Sequence, residues 1–290
     1  MGAQQHNNIT NIDFVSRDYP QLTTHFDRKH QVAWCVMQPT PRCCFTPQLL
    51  ADLNGWFDFL RNGADKHDVK YHVITSNDDD TFNLGGDLDL FRQLSADGDR
   101  AGLMDYARAC IGALHANLTG FGQDVTTISL VRGSALGGGF EAALSSDVII
   151  AESDAQMGFP EVLFNLFPGM GAYSFLSRRL GAKQAERMIL SGKIYGAVEL
   201  HEMGLIDVLV EPGKGERAVY EYIKREDRAR NGFRAMRKVR DRCDPITYQE
   251  LLDVVTIWVD TAMQLTDRDL RMMERLVRRQ EQRGHASATG

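Results

Sequence analysis

Apolar positions along this chain fall into two rhythms. Short dense runs read as strands, and longer stretches with three-to-four spacing read as helices. Gln31–Met37 alternates and is rich in β-formers, so it predicts a strand. Val69–Thr75, Asp147–Ala151 and Ile206–Val210 read the same way, and Thr126–Arg132 reads as a buried strand. Pro39, Pro41 and Pro47 punctuate a loop, and a helix runs from Pro47 to about Leu60. Further helices are expected over Asp87–Leu94, Arg100–Leu118, Gly171–Arg179, Ala182–Leu190 and Ala197–Met203. A turn at Gly137–Gly139 should open a short helix to Ser145, and Ser76-Asn77-Asp78-Asp79-Asp80 is a polar turn. Residues 1–30 have weak periodicity and predict an irregular or edge segment.

From Gly213 onward the pattern is helical, interrupted near Asp244-Pro245, with one long helix from Ile246 to about Gln280. Leu251, Val255, Trp258, Ala262 and Leu265 share a face of it, the mark of a core or subunit contact. The mixture predicts an α/β fold with a helical C-terminal third: segment 1–30, a core over 31–211, and a helical region over 212–290.

Composition narrows the class. A chain of 290 residues with 43% hydrophobic content can build one large domain, or a domain with an extension. A net charge of −6 gives no global attraction to nucleic acid or anionic membrane. No apolar run approaches the ~20 residues of a membrane span. Met1 to Asn11 is polar and lacks a signal-peptide core. The cysteines, Cys35, Cys43, Cys44, Cys110 and Cys243, are odd in number and form no CxxC pair, which points to reduced thiols and a cytoplasmic protein. Lys224 to Arg242 holds nine basic residues against Glu226, Asp227 and Asp241. A solvated helix face is its simplest reading, and a dock for an anionic carrier or phosphate the alternative. No series of base-stacking aromatics accompanies these charges.

Candidate chemistry collects at glycine turns. Asn83-Leu84-Gly85-Gly86-Asp87 is one; Ala135-Leu136-Gly137-Gly138-Gly139-Phe140-Glu141 is another. Glu161 follows a third turn, Gly158-Phe159-Pro160. Glycines let backbone N–H groups approach a substrate oxygen, and carboxylates move protons. The N–H groups opening the helix near Gly138 carry partial positive charge, and Glu141 sits in that first turn. A rival is the dinucleotide fingerprint, since Gly137–Ala142 fits GxGxxA with Glu161 about twenty residues on. The fit is poor. Several residues separate the strand from the first glycine, and the next strand ends at Glu152, not Glu161.

These residues resemble a family. Phe82–Leu88 is similar to the first oxyanion-hole segment of the crotonase (enoyl-CoA hydratase/isomerase) superfamily, and Gly133–Glu141 to the second. Gly158-Phe159-Pro160-Glu161 and Pro168-Gly169-Met170-Gly171 resemble its acid-bearing turn and following loop, and Leu180-Gly181, Ala185, Gly192, Ala197 and Gly204–Asp207 the rest of the core. The resemblance implies a spiral of strand-strand-helix turns, assembled as trimers or paired trimers. Phe140–Ser145, Glu161–Phe164, Leu166–Phe175 and Ile257–Leu265 resemble, more narrowly, the diffusible-signal-factor synthases. Leu84 and Gly86 replace the more usual alanines, and bulky Phe140 precedes Glu141, which sets the chain apart from short-chain hydratases.

Those synthases dehydrate 3-hydroxyacyl chains on acyl carrier protein and hydrolyse the thioester, giving cis-2-unsaturated fatty acid signals used in quorum sensing. What the resemblance implies here is a carrier-protein or CoA thioester substrate, no cofactor or metal, and regulation by a cognate sensor kinase. The oxyanion hole would be the Gly86 and Gly138 N–H groups, with Glu141 and Glu161 as acid and base in either order. Leu136, Gly137, Met170, Trp258 and Leu276 would bind substrate, Trp258 and Leu276 walling an acyl pocket. Two other functions stay open: an enoyl-CoA hydratase of fatty acid breakdown, and a crotonase-like binding partner of a regulator.

Overall fold

The structure is a computed structural model and describes residues 19–64 and 67–275. Its frame is a six-stranded sheet in the order β1-β2-β3-β5-β7-β10. These strands are Leu22–Asp27, Val32–Met37, Tyr71–Ser76, Thr126–Val131, Val148–Glu152 and Val208–Val210. All pairs are parallel except β1 against β2, so the segment before residue 31 supplies an antiparallel edge strand.

Both faces of this sheet are covered. Val32, Trp34, Tyr71, Val73, Ile128, Leu130, Val148 and Ile150 pack on Ala218, Val219, Tyr222 and Ile223 of a helix, α8 below. The alternate residues Ala33, Cys35, Met37, Ile74, Ile149 and Ala151 point into the main core. Double coverage makes these strands continuous apolar runs and thus easy to see in sequence.

A second sheet is built from strands of three residues each. β4 (Thr81–Asn83), β6 (Ser134–Leu136), β8 (Gln156–Gly158) and β9 (Ile194–Gly196) lie in that order. The chain alternates between the two sheets. β3 leads to β4, then to α1's neighbours α2 (Leu88–Ala96) and α3 (Arg100–Leu118), α1 itself spanning Pro47–Gly63. β5 leads to β6 and α4 (Gly138–Leu144). β7 leads to β8, a 3-10 turn at Glu161–Phe164, α5 (Ala172–Leu180) and α6 (Ala182–Ser191). β9 and α7 (Ala197–Glu202) close the series before β10. This is the expected spiral of strand-strand-helix turns.

Beyond it lie α8 (Gly215–Asp227), α9 (Arg230–Cys243) and α10 (Tyr248–Ala262). The basic α9 has no buried residue, as expected of a solvated helix, and three of its arginines turn onto acids of the body. Arg237 reaches the fully buried Glu226 at 3.0 Å, Arg240 reaches Asp147 at 2.5 Å, and Arg234 pairs with Asp124.

The single long C-terminal helix is also corrected. α10 ends at Ala262 and a helical stretch restarts over 267–275. Thr266 and Asp269 cap that restart reciprocally: Thr266 Oγ1 accepts from the Asp269 N–H at 3.4 Å, and Asp269 Oδ2 accepts from the Thr266 N–H at 2.9 Å. Leu251, Val255, Trp258 and Ala262 form the buried face of α10. Leu276 lies outside the described residues. No helix among the described residues is long and apolar enough to cross a membrane.

Candidate active site

The small sheet decides where the chemistry sits. β4, β6 and β8 run parallel, Asn83 beside Ala135, and Leu136 beside Gly158. Their C-terminal ends therefore finish side by side. From those ends leave Leu84-Gly85-Gly86, Gly137-Gly138 and Phe159-Pro160-Glu161. Three segments separated by about fifty and twenty-five residues in sequence thus meet at one edge. The dinucleotide fingerprint fails here for the same reason: β6, a strand of the other sheet, stands between β5 and the glycines.

Backbone contact between the turns is close. A Cβ on Gly85, whose φ is +96°, would sit 2.9 Å from Leu136 O and 3.0 Å from Gly138 N. Gly137 has φ +53°, and a side chain there would collide with Glu161 Oε1. A Cβ on Gly138, by contrast, meets no hard contact; it would lie 3.6 Å from Gly86 N. Among the described residues neither the Gly86 nor the Gly138 N–H donates to a protein acceptor. Both border the same cavity, as a pair of donors for one oxygen must.

The Gly86 turn is braced from outside. Phe45 N donates to Gly85 O at 2.8 Å, and Leu84 N to Cys43 O at 2.7 Å. The Tyr106 hydroxyl accepts from Asp87 N at 2.9 Å and donates to Phe45 O at 2.8 Å. This buried tyrosine of α3 ties the residue after Gly86 to the neighbouring loop.

The two glutamates border the same cavity. Glu141 is 1% exposed, and its Oε1 accepts from Met170 N at 2.8 Å and Ala172 N at 2.9 Å. Burial raises its pKa to about 7, with those backbone donors holding it down against a larger rise. Glu161 as a whole is partly exposed, whereas its Oε2 is enclosed and lacks a partner among the described residues. Burial first, and the Glu141 charge second, raise Glu161 to about 8. Two carboxyls this close to neutral titration can hold one proton between them at physiological pH, the requirement for an acid and a base in one site.

The cavity measures about 280 Å³. Leu136, Gly137, Met170 and Trp258 all border it, so every predicted site residue that the structure describes comes together there. Trp258 packs on Phe91 with ring centroids 5.5 Å apart, and a side chain on Gly169 would collide with it. The expectations missed the inner wall, which comes from α1 through Leu50, Leu53 and Phe57 and from α3 through Tyr106, Cys110, Ala113 and Asn117. The available signal was the small or polar stripe Cys110, Ala113, Asn117 at helical spacing.

Comparison with known proteins agrees with this geometry. Residues 28–237 match the enoyl-CoA hydratase/isomerase family. The chain belongs to that family. That family is part of the crotonase superfamily. It is 32% identical over 161 residues to the peroxisomal fatty acid β-oxidation multifunctional protein AIM1 of Arabidopsis thaliana, 56% of this chain and 22% of that one. It is 33% identical over 169 residues to the fatty acid oxidation complex subunit alpha of Pseudomonas savastanoi, again 22% of that protein. The matches thus span under a quarter of the length of these relatives. Among solved structures, DspI of Pseudomonas aeruginosa superposes with a TM-score of 0.67 at 28% identity, over 78% of this chain and 88% of that one. Enoyl-CoA hydratase of Bacillus halodurans superposes with a TM-score of 0.77 at 19% identity, over 88% and 99%, which is a likeness of fold.

Proposed function

We propose that the chain dehydrates a long-chain 3-hydroxyacyl thioester on acyl carrier protein and hydrolyses the product, releasing a cis-2-unsaturated fatty acid signal. One observation carries the reading: two raised carboxyls and a pair of free N–H groups line one cavity whose remaining wall is mostly apolar. The thioester oxygen binds Gly86 and Gly138 N–H. Removal of the α-proton places negative charge on that oxygen, and losing one such donor costs about 2.7–4 kcal/mol. One carboxylate takes the proton; the other, protonated, gives its proton to the departing hydroxyl, which leaves as water. The buried channel suits a long tail, each methylene contributing about 0.8 kcal/mol. The segment-level resemblance to the signal synthases supports the second step, in which a deprotonated carboxylate activates water against a carbonyl held by the same N–H groups.

The test supplies 3-hydroxyacyl-carrier thioesters and follows free thiol and unsaturated product together by mass spectrometry. Free 2-unsaturated acid appearing with thiol is the expected result. An unsaturated thioester accumulating without free acid rejects the hydrolytic half. That outcome favours a second reading, an enoyl-CoA hydratase of fatty acid breakdown, which the identity to two fatty acid oxidation proteins supports.

A further inference from the structure

The channel ends on a polar floor. Leu163, 51% exposed, marks its mouth; Asn117, 4% exposed, is the lining residue of α3 farthest from Tyr106 and the Gly86 turn, and Ser145, 1% exposed, lines the cavity beside it. Asn117 lies on the α3 stripe that starts at Tyr106 beside the Gly86 turn. Ser145 lies one helical turn beyond Glu141. Between them the wall is apolar: Leu50, Leu53, Phe57, Ile74, Ala113 and Leu114.

The floor is anchored. Asn117 Nδ2 donates to Ser145 Oγ at 3.0 Å and to Ser146 Oγ at 2.9 Å. Ser145 Oγ donates to Ala142 O at 2.7 Å, and Ser146 Oγ lies 2.8 Å from Ser129 Oγ in the large sheet. Behind Asn117 stands His72, fully buried, with Trp56 Nε1 donating to its Nε2 at 3.1 Å. The His72 and Asn117 side chains interact, although Nδ1 and Oδ1 fall short of hydrogen-bond geometry. Both Nδ2 protons are therefore committed within the protein, and the floor has no donor to spare for a polar tail.

We propose that Asn117, held by Ser145 and Ser146, is the stop against which the acyl tail ends, and so sets the longest chain the site accepts. This rests on the acyl-thioester reading above. A leucine or methionine wall yields to a longer chain by changing rotamer. A hydrogen-bonded amide yields only by leaving buried polar groups unpaired, so its cut-off is sharp.

The test uses the full chain as wild type, Asn117→Ala and Ala113→Leu. Two quantities are measured against chain length: kcat/KM with 3-hydroxyacyl-carrier thioesters, and the Kd of saturated fatty acids by calorimetry. In Asn117→Ala both profiles should extend to longer chains, about fourfold tighter for each methylene newly admitted. In Ala113→Leu both should shift toward shorter chains. Where Asn117→Ala fails to fold, Ser145→Ala, which keeps the bond to Ser146, should blur the upper cut-off. Folded variants with the wild-type length profile overturn the stop. Wild type that turns over no thioester, yet binds fatty acids with a profile the variants shift, overturns the reaction and keeps the stop. Wild type that turns over no thioester and binds no fatty acid of any length overturns both.

Discussion

The two sheets of this protein do different jobs with different amounts of sequence. The large sheet uses strands of mostly five or six residues, the inner ones buried on both faces, and it holds the molecule together. The small sheet uses strands of three residues and aligns the three chain segments that carry Gly86, Gly138 and Glu161. Stability is spread over many apolar contacts in the first, whereas geometry in the second depends on a few backbone atoms. Substitutions should therefore separate: rate without stability in the small sheet, stability without rate in the large one.

The largest expected effect is on the carboxyls. Glu141→Gln and Glu161→Gln should each lower kcat/KM for dehydration by about 10²–10⁴. Wild-type kcat/KM should follow a bell against pH, because one group must be ionised and the other protonated. The limbs should fall near the pair's raised values, about 7 and about 8, and belong to the pair as a whole. The stability sign follows from the same rise. A carboxyl whose folded pKa lies above its unfolded value favours folding fully below the unfolded value, and that contribution is lost as pH rises through the folded one. Glu161→Gln should thus gain Tm over wild type above pH 8 and gain little near pH 4. A variant with wild-type turnover, or a flat pH profile, removes that residue from the mechanism.

Gly138→Ala comes next. Its Cβ meets no hard contact, so the fold should hold, but it would sit beside Gly86 N, where the proposed reaction places the thioester oxygen. We expect kcat to fall about 10²–10³-fold with Tm nearly unchanged. Gly85→Ala makes the contrast inside the same motif: a positive φ and backbone neighbours at 2.9–3.0 Å predict lost folding as well as lost rate. In the large sheet, Leu130→Ala should cost about 2–5 kcal/mol of stability, read by denaturant titration, while the folded fraction keeps its kcat. Loss of kcat in that variant would show that the two sheets are not separable.

The same contrast explains what could be read from sequence. Thr126–Val131 and Val148–Glu152 are five or six apolar-rich residues in a row, and their ends were placed within a residue. Helix α3 was placed to the residue because its periodicity runs for five turns. Strands such as Gln156–Gly158 or Ile194–Gly196 are too short to show any period, and they were invisible as strands. The site was legible all the same, because its glycines and acids recur as a motif even where the strands presenting them do not. The channel was not legible, since its wall pairs α1 with α3 across some sixty residues and nothing local marks the pairing. The long C-terminal helix was overextended although its stop was written in Thr266 and Asp269, a capping signal outweighed by an apolar stripe.

The smallest effect should come from the joint between the two regions. Tyr106 belongs to α3, packed in the main core, but its hydroxyl holds Asp87 N and Phe45 O beside the Gly86 turn. Tyr106→Phe keeps the ring and removes both bonds, leaving a buried N–H and a carbonyl to find new partners. The cost of such orphaned groups, about 1–3 kcal/mol, falls on the position of the Gly86 N–H as well as on folding. A purely structural role would lower Tm and leave kcat of the folded enzyme unchanged. A positioning role should lower kcat about tenfold with KM nearly constant, because the displaced donor matters most when the oxygen carries charge. A kcat unmoved beside a lowered Tm would mean that the small sheet holds its own turn in place, and that the core contributes only the platform beneath it.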